Sequence, residues 1–384
     1  MKTFATASGI LLLGAGAAGA VGLDRSNQDI TAIFAEDNYL ELSYARTEPS
    51  LSGADLDIFP TLGDYGDVGE VFTTYGASLT YHLTPRISMA LIADEPFGVD
   101  TSYEGDPALT MLGGTSAELN SRALTLMGRY RINDAFSIHG GLRRERLDAE
   151  ITLSGQAYGG LNGYRVSLDE DSATGYVIGA AYERPEIALR VALTYHSSME
   201  HDFDSTETLG GAPIGALPPA LTGGLDGVGT TTVETPEAWN LDFQTGIAQD
   251  TLLFANVRYA TYSDVIVSPE FFAAAGGGSL TEIEDNASYQ IGVGRRFNEA
   301  FSGQIAVGYE PEKDDFVSPL APTNGLRFVS LGGSWTRDAV TLSGGVRYSW
   351  IGDAFPETGT PDVARAQFED NDAISYGLSL GYRF

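Results

Sequence analysis

Between Val71 and Leu83 apolar and aromatic residues (Val71, Tyr75, Ala77, Leu79, Tyr81, Leu83) alternate with small or polar ones (Thr74, Gly76, Ser78, Thr80, His82). A period of two puts the two sets on opposite faces of a β-strand. The same pattern recurs at 40–44, 87–93, 124–130, 136–142, 176–182, 187–195, 239–247, 253–259, 287–293, 301–309, 329–335, 340–350 and 374–384, giving fourteen strands. Short turns such as Thr84-Pro85-Arg86, Asn133-Asp134, Gln249-Asp250 and Arg337-Asp338 join alternate pairs. The remaining connections are long, roughly 15 to 35 residues, which is how a transmembrane β-barrel arranges its periplasmic turns and extracellular loops. Tyr, Trp or Phe brackets the apolar face of each run, as aromatic girdles at two lipid–water interfaces would. A soluble sandwich has the same period, but no reason for alternating loop lengths. The expected fold is therefore all-β: a 14-stranded antiparallel transmembrane β-barrel, with both chain ends on the short-turn side.

Composition agrees with that picture and removes several others. The 384 residues include 47 glycines and 19 tyrosines, 43% hydrophobic residues and no cysteine. No disulfide framework, thiolate nucleophile or zinc–thiolate site is available. A net charge of −30 excludes nucleic acid as a partner of the bulk surface. Residues 1–20 read as a signal peptide, with Lys2, an apolar run from Phe4 to Leu13, and Ala18-Gly19-Ala20 before cleavage. Gly14, Gly16 and Gly19 spell a dinucleotide motif there, but without its strand–turn–helix setting. No later apolar run reaches the roughly 18 residues of a transmembrane helix.

Several segments in order resemble one family. Leu83-Thr84-Pro85-Arg86-Ile87-Ser88-Met89-Ala90 running to Asp94-Glu95-Pro96-Phe97-Gly98, then Tyr130-Arg131-Ile132-Asn133-Asp134, Leu193-Thr194-Tyr195-His196-Ser197-Ser198, Thr235-Pro236-Glu237, Tyr259 to Asp264 and the closing strand to Phe384 are similar to the FadL-type outer-membrane transporters of long-chain fatty acids and other hydrophobic compounds. The terminal Phe384 also resembles the signal by which bacterial outer-membrane barrels are recognised for insertion. The resemblance implies fourteen strands, an N-terminal hatch, a hydrophobic capture groove between long loops, and a kinked third strand that opens toward lipid. The family's Asn-Pro-Ala hatch motif is absent, and only a short segment, 21–37, precedes the barrel at 38–384. Either a reduced hatch is formed by Thr31 to Ala35, with Ile33 and Phe34 its apolar residues, or the barrel is more open than the family's better-known members.

Candidate residues follow from local chemistry. Pro96 removes a ladder donor and Gly98 permits bulged geometry, so a break beside Asp94 is expected; a plain strand end is the alternative. Leu217 and Leu221, with Phe271 and Phe272, are apolar loop residues that either touch ligand or fold together as a lid. By parity Glu41, Asp94, His139, Arg143, Arg190, Asn240, Asp242, Gln244, Asn256, Arg258, Arg296 and Arg347 face the lumen. Such charges mostly pair with one another, or Arg143 or Arg258 meets a ligand carboxylate. The long connections hold most of the acids and few bases (Arg165, Lys313 and Arg365). These acidic extracellular loops suit a solvated surface, or divalent cations shared with lipopolysaccharide.

Catalysis has little support: no His-x-x-x-His pair or Gly-x-Ser-x-Gly elbow appears. His196 beside Ser197 and Ser198 is the one candidate for an outer-membrane lipid hydrolase, and adjacent strand residues face opposite ways. The sequence thus predicts a passive transporter of long-chain fatty acids or similar hydrophobic molecules in the outer membrane of a Gram-negative bacterium. It is expected to be a monomer among lipid and lipopolysaccharide, to use no cofactor or metal, and not to be an enzyme. A general diffusion porin is the main rival.

Overall fold

Residues 23–56, 63–314, 316–359 and 363–384 are described in a computed structural model of the chain. The expected signal peptide, residues 1–20, lies outside the described residues. Fourteen strands form one antiparallel sheet: β1 (Tyr39–Ser50), β2 (Phe72–Thr84), β3 (Ile87–Asp94, resuming at Gly98–Ser102), β4 (Ser116–Arg131), β5 (Phe136–Leu153), β6 (Tyr164–Arg184) and β7 (Leu189–His196 and Met199–Leu209), then β8 (Val228–Thr235 and Ala238–Ala248), β9 (Thr251–Ala260), β10 (Asn286–Arg296), β11 (Phe301–Glu310), β12 (Leu326–Arg337), β13 (Val340–Ile351) and β14 (Asp372–Arg383). Pairing of β14 with β1, from Tyr39 opposite Arg383 to Ser50 opposite Asp372, closes the barrel.

The faces separate as the alternation requires. Leu42, Leu126, Leu142, Ile178, Leu193, Ile305, Leu331 and Leu378 point outward and stay exposed, which is a liability in water and a requirement in hydrocarbon. Tyr44 packs on Tyr75, and Tyr195 on both Tyr176 and Trp239, toward one end of this band. Phe136 on Tyr182 and Tyr382 on Phe384 mark the other end. Two-residue turns after β8 and β12 place Asp250 and Asp338 at φ +54°, a conformation that Asp tolerates better than most residues.

Strands β4 to β8 run past the girdle, so several connections are shorter than the alternation implies; only residues 154–163 join β5 to β6. Above Leu142 the inward alternation persists through Leu147, Ile151 and Leu153, all buried. The outward face there becomes Arg144, Arg146, Asp148 and Glu150. With water on the outer face above the girdle, the apolar-out signal stops while the sheet does not.

The long connections pack on one another. Leu51, Tyr65, Val68, Tyr103, Met111, Leu112, Ala354, Ala366 and Phe368 form one loop core. Within it Asp55 accepts hydrogen bonds from Gly63 N–H at 2.9 Å, Met111 N–H at 3.2 Å and the Tyr65 hydroxyl. Removal from water and the neighbouring Asp55 charge push the Tyr65 hydroxyl well above the usual phenol range.

A charge placed on the outward band tests where hydrocarbon ends. Leu126→Arg is expected to destabilise the refolded barrel in lipid by about 2–4 kcal/mol. Asn120→Arg, on the same face beyond Arg122, is expected to change it little. Urea titration in liposomes reads both, and equal effects would place the boundary elsewhere.

Candidate functional site in the barrel wall

The ladder between β2 and β3 is incomplete. It runs from Thr84 opposite Ile87 to Ala77 opposite Ala93. Beyond that, Phe72 to Gly76 pair only with β1 among the described residues, and contact resumes as an isolated bridge between Gly69 and Thr101. On its other side β3 stays paired to β4, with Asp94 opposite Ala123 and Gly98 opposite Asn120. Three residues, Glu95 to Phe97, therefore oppose two, Ser121 and Arg122. Such a bulge bends the strand.

The bend goes inward. The hydroxyl of lumen-facing Ser121 accepts from Phe97 N–H at 2.8 Å and donates to the Phe97 carbonyl at 2.6 Å. Phe97 is buried beside Leu23 in a cluster that also contains Leu147, Tyr164, Phe203, Tyr262, Phe271 and Phe272. One apolar core thus links the loops to the bend. Asp94, Pro96 and Gly98 stand at the break.

The N-terminal segment takes up the freed backbone. Gly98 N–H donates to Leu23 O at 2.9 Å, and Arg25 N–H to Pro96 O at 2.7 Å. Arg25 lies over the Phe72 ring at 3.8 Å and pairs with Asp100 at 2.7 Å. A Cβ at position 98 would collide with the Arg25 guanidinium, so glycine is needed by close approach. Ser26 donates to Asp94 at 2.6 Å.

Arg258 fixes this arrangement. It reaches Asp24 through two nitrogens at 2.7 and 2.9 Å, Asn240 at 3.1 Å and Gln28 at 3.3 Å, while the Tyr262 hydroxyl also donates to Asp24. Burial pushes the Tyr262 hydroxyl up, and the Asp24 charge adds to it. Arg143 contacts Asp94 at 3.2 Å, Thr125 at 3.1 Å and Glu145 at 3.6 Å. Both arginines named by parity are therefore inside ion-pair networks, and a ligand carboxylate would compete with Asp24 or Asp94.

Farther along, Thr31–Phe34 forms a single 3-10 turn. Ile33 and Phe34 are buried against Ala90, Ile92, Met127, Val177, Ala181 and Ala192 on the inner faces of β3, β4, β6 and β7. Phe34 lies between the guanidinium groups of Arg129 and Arg190, at 4.7 and 4.6 Å from the ring centre, a favourable cation–π geometry. Removal from water raises the Asp29 carboxyl above its usual range, against the pull of Thr31 and Arg190.

Below this segment lies a cavity of about 1410 Å³. Its lining includes Arg25, Phe34 and Glu95, the outward-facing Tyr44 and Tyr75, and the turn residues Arg86, Asp134 and Asp338. It therefore joins the β2–β3 break to the short-turn end of the barrel.

The four loop candidates do not share one surface. Phe271 and Phe272, on the short helix Glu270–Ala274, are buried beside Tyr164, 6.3 and 5.4 Å between ring centres. Their N–H groups donate to the buried Glu207 carboxylate at 2.8 and 2.9 Å, which also accepts from the Tyr164 hydroxyl at 2.7 Å. Leu217 is half-buried against the same core, whereas Leu221 is 70% exposed. Among the described residues neither ring nitrogen of buried His196 has a hydrogen-bond partner, and Ser197 accepts from Tyr176 N–H, so no Ser–His pair forms there. Sequence reasoning missed Asp24, Arg25, Tyr262 and Glu207. Asp24 had only local polarity to mark it, because its partner Arg258 is 234 positions away.

The geometry has solved counterparts. A Pseudomonas aeruginosa FadL homologue is 13% identical, with a TM-score of 0.72 over 97% of this chain and 98% of that one. The Pseudomonas putida toluene transporter TodX is 11% identical, with a TM-score of 0.63 over 96% and 98%. The Ralstonia pickettii toluene transporter TbuX is 12% identical, with a TM-score of 0.60 over 92% and 91%. At these identities the likeness concerns the fold. No curated protein matches the sequence significantly. The family described as outer membrane protein transport protein (OMPP1/FadL/TodX) matches residues 57–384, and the chain belongs to this family of outer-membrane β-barrels.

Proposed function

We propose that the chain is a passive transporter of hydrophobic small molecules, long-chain fatty acids among them, across the outer membrane. The observation that carries this reading is the unpaired stretch between β2 and β3, backed by the N-terminal segment and adjoining the cavity. Ligand is taken up at the extracellular loops, with Leu217 and Leu221 as first contacts and Phe271 and Phe272 beneath them. It follows the apolar cluster to Phe97 and leaves sideways into lipid past Asp94, Pro96 and Gly98. Toluene transport by TodX and TbuX supports an apolar cargo. Residues from Val21 to Asp37 act as the hatch, anchored by Ile33 and Phe34. A ligand carboxylate at Arg258 or Arg143 would displace Asp24 or Asp94 and loosen that hatch. No bond is made or broken in the cargo. The exported, processed chain works as a monomer without a cofactor.

A second exit, through the short-turn end to the periplasm, is favoured by the cavity lining at Arg86, Asp134 and Asp338. Uptake by whole cells separates the two. Pro96→Val with Gly98→Val restores a strand-forming sequence and drives Arg25 from its place. Lateral exit predicts at least a tenfold loss of uptake of a long-chain fatty acid, and unchanged uptake would favour the periplasmic route.

Conductance separates transporter from porin. The refolded wild-type barrel in a planar bilayer is expected to be nearly silent. Arg258→Met leaves Asp24 buried without its partner, at a cost of about 3–5 kcal/mol, and is expected to raise ionic current by freeing the N-terminal segment. Large steady current through the unaltered protein would establish a diffusion porin instead.

Capture is tested away from the loop core. Leu217→Ser with Leu221→Ser is expected to weaken binding of a fluorescent fatty acid several-fold at a small cost in thermal stability, since Leu217 is half-buried and Leu221 exposed. Phe271→Ser with Phe272→Ser removes two core rings and is expected to lower stability by several kcal/mol, given about 3–5 kcal/mol for a buried Phe reduced to Ala. Undiminished binding by the leucine variant would rule out the groove.

A further inference from the structure

The outward face of β4 and β5 carries a concentration of positive charge that the transport reading does not use. Arg122 on β4 stands directly opposite Arg146 on β5, and Arg144 is opposite Leu124 in the next outward row. Three of the chain's 22 lysines and arginines thus share one small patch on a protein of net charge −30. Like charges directly across an antiparallel pair repel, so the pairing is unfavourable unless an anion joins it.

Among the described residues Glu170 is the one acid within ion-pair distance of the patch. Arg122 forms no ion pair among the described residues, although the field of nearby Glu95 reaches it. Among the described residues Arg144 donates only to the hydroxyls of Thr174, at 3.3 Å, and Ser172. Arg146 meets Glu170 at 3.4 Å, with both side chains more than half exposed, a pair worth little in water. Of the acids in the rows above, Glu150 pairs with Arg165, while Glu118 and Asp148 accept from the neutral Asn120 amide at 3.1 and 3.3 Å and make no ion pair with the arginines among the described residues.

The height of the patch identifies its partner. Its lower row already pairs Arg144 with Leu124, and immediately below the outward residues are Leu126, Leu142 and Tyr176, the apolar band; above it they are polar or acidic. It therefore sits where acyl chains give way to headgroups, at the end of the barrel bearing the long loops. In an outer membrane that level holds the phosphate groups of the outer-leaflet glycolipid. Guanidinium forks match phosphate oxygens bidentately, and clustered arginines at a membrane interface bind anionic headgroups. We infer that Arg122, Arg144 and Arg146 form a binding site for the phosphorylated headgroup of one outer-leaflet glycolipid. Arg122 neighbours Glu95 at the β3 bend, so the bound lipid stands beside the wall break. The site rests on outer-membrane placement and not on the transport reading.

Native mass spectrometry of the refolded full chain in detergent tests this, using diphosphorylated lipid A, its dephosphorylated form and inorganic phosphate as separate probes. The unaltered protein is expected to retain one diphosphorylated lipid. Retention should be at least tenfold weaker for the dephosphorylated form and for the variant Arg122→Gln, Arg144→Gln, Arg146→Gln. Arg122→Lys with Arg146→Lys should keep part of it. All these side chains are exposed, and heat-modifiable gel migration verifies that each barrel is folded. Equal retention by the glutamine variant or of the dephosphorylated lipid would overturn the site. Inorganic phosphate binding as tightly as the lipid would reduce it to a free-anion site, and a dimer abolished by the same substitutions would make the partner a second copy. Because the readout is lipid retention, a failure of transport leaves the result intact.

Discussion

In hydrocarbon a backbone N–H or C=O has no water to turn to, so a sheet that crosses a membrane must close and leave no edge. Pairing of β14 with β1 meets that demand, and the outward apolar band and aromatic girdles follow from it. The same constraint makes the incomplete ladder between β2 and β3 informative. A break is tolerable only where the released groups find other partners. Gly98 N–H and Pro96 O find them in Leu23 and Arg25, Phe97 in the Ser121 hydroxyl, and Tyr75 N–H in the Glu95 carboxylate at 3.3 Å. The N-terminal segment completes a wall that the strands leave unfinished.

That substitution depends on a buried charge pair. Arg258 and Asp24 are both largely removed from solvent, where an unpaired charge is expensive and a hydrogen-bonded pair roughly breaks even. Asn240, Gln28 and Tyr262 satisfy the remaining donors and acceptors, so the pair holds position more than it adds stability. An arrangement near energetic balance would suit the proposed release of this segment. Under the proposed release a ligand anion would replace one carboxylate by another, while the apolar burial of Leu23, Ile33 and Phe34 would still have to be given up.

The sequence announced the parts on which lipid imposes a period. Alternation located all fourteen strands because outward residues must be apolar and inward ones need not be. It marked Pro96 and Gly98 as a break or a plain strand end, because those two residues are poor ladder members. It did not announce how far β5 and β6 rise beyond Leu142 and Tyr176, since water on the outer face removes the apolar half of the signal. Arg143 and Arg258 were placed in the lumen by parity, but their partners were out of reach: pairings such as Arg258 with Asp24 are made by closure of the whole barrel and leave no local pattern. The burial of Phe271 and Phe272 is similar, since the buried acid that caps their helix, Glu207, looks in sequence like one more loop acid.

Charge shows the same dependence on position. Most acids in the long connections face bulk water, Asp55 in the loop core being an exception; there repulsion between them is screened within about 10 Å, and a surface of one sign stays hydrated. Acids of the interior are few and hold other groups in place. Asp24 and Asp94 secure the N-terminal segment, and Glu207 orders the helix at 270–274. A net charge of −30 is thus compatible with a barrel in lipid because almost none of it lies on the apolar band. Where that band meets headgroups the sign reverses, at Arg122, Arg144 and Arg146. A uniformly acidic rim would repel the phosphates of the surrounding leaflet, and the basic patch next to the wall break would offset that repulsion there.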